Sequence, residues 1–380
     1  MKAATRPTQR PRDARLLVVD SSGAIRDIAR SRLPDLFDPG HLLVANDAAT
    51  LPASLSGLHL PSGLPIEVRL AGRRSLDPAD VRGFTAIVFG AGDHRTRTEE
   101  RAPPPPLAAG DALALGPLRA TVRRTLGHAR LVELAFDGPA DVVWAGLAAH
   151  GKPIQYAHLQ EPLALWDVWT AVAARPVAFE PPSAGFVLDW ALLHELRRRG
   201  VGFATLTHAA GISSTGDAAL DARLPFGEAY ELPRSTVDAI AAARRRGARI
   251  VALGTTVTRA LEHAALEHTP LRAGRGYATQ RLGAATRLAV VDAIVSGTHE
   301  RGTSHRELLR AFAADVVLDR ADAVLEQRGY RTHEFGDSVW IEADHRRPAP
   351  IGSTALELED RDTRAQVRPA PHDPAVLDAE

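Results

Sequence analysis

ARIVALGTTVTRALEHAALE, residues 248–267, holds an apolar strand, a glycine turn and a helix in immediate succession. Arg249–Leu253 is an apolar run, Gly254-Thr255-Thr256 breaks it, and apolar residues then recur at helical spacing from Val257 to about Glu267. A strand that feeds directly into a helix is the building unit of an α/β protein. The turn presents backbone N–H groups and two hydroxyls at the positive end of a helix, a setting that suits a carboxylate or a ribose. One turn further on, Arg259 and Glu262 share a helix face. A capped helix carrying a surface ion pair explains the same residues without a ligand.

Outward from this unit the alternation continues. Val187–Arg199 is amphipathic and stops at Gly200, and Phe203–Leu206 follows as a strand. Ser235–Arg246 reads as a helix capped by Ser235 and stopped at Gly247, with three arginines at its negative end. Leu288–Val291 reads as a strand, Ser304–Ala313 and Leu318–Arg328 as helices, and Ser338–Ile341 as the last strand. Near the start, Leu16–Asp20 and Leu42–Asp47 are apolar strands, the second following a Pro39-Gly40 turn signal.

Between about Gly57 and Gly138 the texture differs. Ile66–Leu70, Ala86–Phe89, Ala112–Leu115, Ala120–Leu126 and Arg130–Phe136 are short β-rich runs separated by Gly, Pro and Asp, the pattern of a small antiparallel barrel or sandwich. Pro103–Pro106 form a stiff connector inside it. The expected architecture is a mixed α/β domain built from residues 15–56 and 140–344, with a β-barrel-like domain of residues 57–139 inserted. Residues 1–14 and 345–380 lack periodicity and read as disordered.

Composition narrows the chemistry. The 380 residues carry 46 basic and 46 acidic side chains, a balance that excludes a strongly basic nucleic-acid protein as a description of the whole chain. With no cysteine there is no disulfide partner, thiolate metal site or thiol nucleophile. No apolar run approaches the ~18 residues of a membrane span, and the N-terminus lacks the apolar core of a secretory signal, so a cytoplasmic location is expected.

Three further stretches carry candidate chemistry. EPPSAGF, residues 180–186, combines a proline-fixed backbone with small residues that permit close approach, and in isolation reads first as a stiff strand-to-helix loop. SGTHERGTSHRELL, residues 296–309, places His299 in a Gly/Thr loop and His305 near a helix start, as a general base or acid or as plain exposed loop histidines. Their spacing of six does not suit a helical metal pair, and no metal is expected. HEFGDS, residues 333–338, is a glycine turn flanked by Glu334 and Asp337.

In order and together, these stretches resemble the QueA family, the S-adenosylmethionine:tRNA ribosyltransferase-isomerases of queuosine synthesis. The resemblance begins at DARLLVVD and runs to GDSVWIE near residue 342. The family's N-D-T-R-V-I-P-A-R-L is similar to residues 46–55, its P-T-A-G-L-H-F to 182–188, and its G-T-T-S-V-R-T-L-E to Gly254, Thr255, Thr256, Arg259, Leu261 and Glu262. The histidine of T-N-F-H-L-P falls on His299, and S-Y-G-D on Gly336 and Asp337. Ala49 and Ser54 replace two arginines of the first motif, Val187 replaces the histidine of the second, and His305 is an addition.

The resemblance implies transfer and isomerisation of the ribosyl part of S-adenosylmethionine, a co-substrate, onto an aminomethyl-deazaguanine in tRNA, with release of adenine and methionine. It implies His299 as base beside the sulfonium, and Asp337 or Glu334 as the proton source for adenine. Gly254, Thr255, Thr256, Arg259, Glu262, Ser183, Ala184 and Gly185 would hold the donor, and Asn46, Asp47 and His305 the acceptor. Arg259→Ala is expected to weaken donor binding with little effect on the fold. The partner is tRNA or a small-molecule acceptor: a paralogue acting on a small nucleoside or metabolite, and a non-catalytic S-adenosylmethionine-binding protein, are the alternatives. For tRNA phosphates, Arg197–Arg199, Arg244–Arg246 and Arg123–Arg124 are candidates.

Overall fold

A computed structural model of the chain describes residues 1–344. The expected disorder of 345–380 lies outside the described residues. A nine-stranded mixed sheet runs, edge to edge, through Gly274–Ala278, Glu228–Leu232, Gly202–His208, Leu42–Asn46, Ile250–Leu253, Ala293–Gly297, Ser338–Glu342, Arg15–Val19 and Ile25–Ala29. The four strands from Gly202–His208 to Ala293–Gly297 are parallel to one another. Their side chains alternate between two cores. Leu42, Val44, Ile250 and Ala252 face one, while Leu43, Ala45, Val251 and Leu253 face the other, as a sheet covered on both faces requires.

Helices Arg234–Arg245, Thr255–Glu267 and Asp315–Gln327 contribute to the first core, and Trp190–Arg198 to the second. Strands between Ser54 and Phe136 close a six-stranded antiparallel barrel with its own core, which includes Val68, Phe84, Ile87, Leu113 and Leu134. Among the described residues, no helix is long and apolar enough to cross a membrane.

Four local expectations are corrected. The stretch 1–14 is not loose: Lys2–Ala3 pairs in parallel with Arg331–Thr332, Thr5 accepts the Gln160 N–H at 3.0 Å, and Arg10 donates to the Leu188 carbonyl at 3.0 Å. These partners lie far away in sequence, where composition cannot reveal them. The helix expected from Val187 begins at Trp190, because Asp189 accepts the Leu192 N–H at 2.7 Å and so sets the cap. Ser235 lies inside a helix that starts at Arg234, and Pro233 takes the cap position without a side-chain hydrogen bond. The strand expected at Leu288–Val291 lies at Ala293–Gly297, since the N–H groups of 289–291 are held by a carboxylate rather than by a ladder.

Candidate active site

The parallel strands Leu42–Asn46, Gly202–His208, Ile250–Leu253 and Ala293–Gly297 end on one edge of the sheet, the carboxyl edge, where open α/β sheets bind their ligands. Gly254 makes the passage from strand to helix with φ +98° and ψ 164°, a conformation reserved for glycine. A Cβ built on Gly254 would lie 3.1 Å from that of Ala184, so the close packing of two loops also selects glycine. The second loop is the turn Ser183–Val187, held by the prolines before it. A cleft opens between these turns, lined by Ser183, Ala184, Gly254, Thr255 and Thr256 on one side and by His299 and His305 on another.

His299 follows the strand Ala293–Gly297, and its Nε2 lies 3.1 Å from the Ser296 hydroxyl. Its ring stacks on His305 at 4.5 Å with an 11° interplanar angle. Burial, then the neighbouring imidazoles of His305 and His333, hold His299 well below the usual histidine range, so it is neutral at neutral pH. His305 is lowered by burial, against the opposing charge of Glu228.

Behind His299 lies a second chamber, lined among others by Tyr156, Glu180, Thr332, His333 and Glu334. Burial pushes the Glu180 carboxyl up to about 8; Glu334 adds to this, and hydrogen bonds from Ser213 partly oppose it. Burial also raises Glu334. His158 stacks on His333 at 4.4 Å, and burial brings it down to about 4. His333 holds a left-handed backbone conformation, φ 67°, unusual outside glycine. Of the groups that could hold a metal, His158, His333 and Glu334 bring ligand atoms within 4.8 Å of one another.

A family model for queuosine biosynthesis proteins matches residues 1–341. The chain belongs to that family. It is 32% identical over 338 residues to an S-adenosylmethionine:tRNA ribosyltransferase-isomerase of Geobacter sulfurreducens, covering 87% of this chain and 93% of the relative. A protein of the same name from Sorangium cellulosum is 31% identical over 366 residues, covering 89% and 94%. Among solved structures, the S-adenosylmethionine tRNA ribosyltransferase of Thermotoga maritima matches at 23% identity with a TM-score of 0.46, covering 89% of this chain and 95% of that one.

The motifs that tie the chain to the queuosine family are not all at the cleft surface. Arg259 is buried rather than exposed. It pairs with Glu228 and donates to the carbonyls of Gln280, Phe226 and Ala278 at 3.1, 2.9 and 2.9 Å. It reaches the cleft only as part of its wall. Glu262 makes no pair with it: buried, it accepts the N–H groups of Ala289, Val290 and Val291 at 2.7–3.0 Å.

Asp337, expected at the adenine, instead ties the chain's two ends together, accepting the backbone N–H groups of Arg15 and Arg331 at 2.8 Å each while 2% exposed. Asn46 is a clamp between strands, bonded to both the N–H and the carbonyl of His208 and to the Ala48 N–H. Asp47 accepts the hydroxyls of Thr205 and Thr207. Gly185 packs against Thr170, where a Cβ would come within 2.8 Å of its methyl group. Glu262, expected at the donor, Asn46 and Asp47, expected at the acceptor, and Asp337, expected at the adenine, all have polar atoms engaged inside the fold, so their structural bonds account for them without a ligand. The arginine runs are partly engaged too, with Arg198 and Arg199 on Glu195, Arg244 on Asp292 and Arg124 on Glu133.

Sequence reasoning missed Tyr156, His158, Glu180, His208, Glu228 and His333. Glu180 stood in the quoted EPPSAGF stretch and His333 in HEFGDS, so two were within reach. His208 gives no signal in the sequence, yet both its ring nitrogens are buried without a hydrogen bond, and Nε2 lies 3.4 Å from Glu228.

Proposed function

We propose that this chain is an S-adenosylmethionine-dependent ribosyltransferase-isomerase of queuosine synthesis. It moves the ribosyl part of its co-substrate to an amine on a tRNA deazaguanine, isomerises it, and releases adenine and methionine. The observation that carries this reading is the similarity to enzymes of that name at about 30% identity over nine-tenths of the chain. The cleft supports it residue by residue. The first turn of helix Thr255–Glu267, with the hydroxyls of Thr255 and Thr256, offers donors to a carboxylate or ribose, and Ser183 and Ala184 close the opposite side. Arg259 and Glu228 form the wall behind it.

The sulfonium makes the adjacent methylene acidic, and His299, kept neutral by burial, takes that proton. Glu334, whose carboxyl burial raises, is the candidate to give a proton to adenine, with Asp337 held by two backbone N–H groups. His305 steadies His299 by stacking. The acceptor amine is the nucleophile, so no thiol is required, and with tRNA as acceptor the reaction runs in the cytoplasm.

The test is to incubate the protein with S-adenosylmethionine and tRNA carrying the aminomethyl-deazaguanine, and to follow adenine and methionine by chromatography. Release that depends on the tRNA is expected. Release that depends instead on an RNA-free extract fraction would replace tRNA with a small acceptor. His299→Gln is expected to slow release ~10²–10⁴-fold with the fold intact, and a rate within about threefold of wild type would move the base elsewhere.

A further inference from the structure

The cleft and the inner chamber share a wall. Glu180, Pro181, Ser183, Ser213, His299 and His305 line both. Beyond that wall the chamber holds an unusual concentration of unsatisfied groups. The Tyr156 hydroxyl, the Thr332 hydroxyl and one Glu334 oxygen are buried without any hydrogen-bond partner. Buried polar atoms are almost always paired, because each one left alone costs ~1–3 kcal/mol. Three such atoms around one cavity describe a site shaped for a polar ligand rather than an accident of packing.

An enzyme that joins two substrates must bring their reacting atoms together where the two binding spaces meet. Of the side chains on the shared wall, Glu180 is the one carboxyl. It is 8% exposed, and one of its oxygens accepts the Ser213 N–H at 3.0 Å, which fixes its position at the junction. We propose that the inner chamber is the acceptor subsite, taking a purine-like heterocycle that bears a primary amine, and that Glu180 is the base that removes the proton from that amine.

This inference rests on the ribosyl-transfer reading for the identity of the acceptor. In the step, one N–H bond of the ammonium breaks and its electron pair stays on nitrogen. The proton forms an O–H bond on the Glu180 carboxylate, leaving a neutral amine free to attack the donor and a neutral carboxylic acid. The Tyr156 and Thr332 hydroxyls serve the polar edge of the ring, and His333, stacked on His158, borders it. A primary ammonium titrates near ~10.4, and a carboxyl raised to about 8 takes its proton far less uphill than an ordinary one, acting in the ionised fraction, about a tenth of the molecules at pH 7 and more as pH rises through 8.

The test uses the full chain and the free base 7-aminomethyl-7-deazaguanine, titrated by calorimetry in two buffers of different ionisation heat, alongside adenine release with modified tRNA. Wild type is expected to bind the free base with a net proton exchange. Glu180→Gln keeps an acceptor for the Ser213 N–H, and is expected to bind the base without that exchange. It should release adenine ~10²–10⁴-fold more slowly, with its affinity for S-adenosylmethionine unchanged. Tyr156→Phe should weaken base binding and leave the proton exchange in place. Failure of wild type to bind the base overturns the inference, as does a Glu180→Gln protein that keeps the proton exchange and turns over within about threefold of wild type. A wild type that binds the base with proton exchange but releases no adenine would instead sink the ribosyl-transfer reading and leave the chamber standing.

Discussion

Helix Thr255–Glu267 and the chamber behind His299 are both rich in polar side chains, but they use them in opposite ways. On the helix, Arg259 has a carboxylate and three carbonyls and Glu262 has three N–H groups, so both are satisfied by the fold itself. In the chamber, Tyr156, Thr332 and Glu334 each carry a buried polar atom with no hydrogen-bond partner, the Glu334 oxygen lying 3.6 Å from His158 Nε2. The first arrangement holds the turn at Gly254 in place and can be complete without a ligand. The second is complete only when something polar enters. A charged residue in a motif is therefore weak evidence of contact with substrate until its hydrogen bonds have been accounted for.

The largest effect should come from breaking the satisfied side. Arg259→Ala leaves the buried Glu228 without its cationic partner, held only by the Gly211 N–H and beside His208, a loss of ~3–5 kcal/mol, readable as a lower midpoint in denaturant unfolding. This reverses the expectation, drawn from an apparently exposed helix position, that the fold would hardly notice. The double variant with Glu228→Gln should cost less than the sum of the two single changes, because the partner charge is then gone as well. If Arg259→Ala unfolds like wild type and loses only donor affinity, the residue belongs with the ligand-binding groups after all.

The reason this was not legible lies in the geometry. Strand, turn and helix at 249–267 follow from local pattern, and so do the apolar strands near Leu16 and Leu42, whose side chains the structure then divides between two cores. The barrel declared itself through closely spaced β-rich runs. The partner of Arg259 is 31 residues away in sequence, and those of Asp337 are up to 322 away, so no window of periodicity contains them. The site divides the same way. Gly254, Thr256, Ser183 and His299 were readable because their loops carry glycine, proline and hydroxyl signals. Tyr156 and Thr332 look like ordinary core or loop residues until the fold brings them to one cavity.

A smaller effect tests the unsatisfied side through pH. An ordinary glutamate titrates near 4.5, and Glu180 does so at about 8 in the folded chain. Between these values the folded state keeps a proton that the unfolded state has released, so this group's contribution to stability is full below 4.5 and is lost as pH rises toward 8. Glu180→Gln removes that slope. The variant should gain on wild type by something on the order of 2–4 kcal/mol as pH goes from 4.5 to 8, followed by thermal or denaturant melts across the range. Parallel pH curves for the two proteins would mean that the carboxyl is not isolated from water and that the chamber is open.

The smallest of the three effects separates the two spaces. Gly254 sits at φ +98°, ψ 164°, and a side chain there costs ~1–3 kcal/mol in backbone strain alone. Its Cβ would also stand 3.1 Å from that of Ala184, pressing apart the two turns that frame the cleft. Gly254→Ala should therefore lower stability less than Arg259→Ala does, yet weaken S-adenosylmethionine binding disproportionately, because the turn that moves carries Thr255 and Thr256. Binding of the free acceptor base should change little, since Tyr156, Glu180 and Thr332 stand on other segments of the chain. Calorimetry with each ligand on the same preparation decides it. If donor affinity survives while stability falls, the turn is only a structural joint, and the donor must be held by the Ser183 side of the cleft.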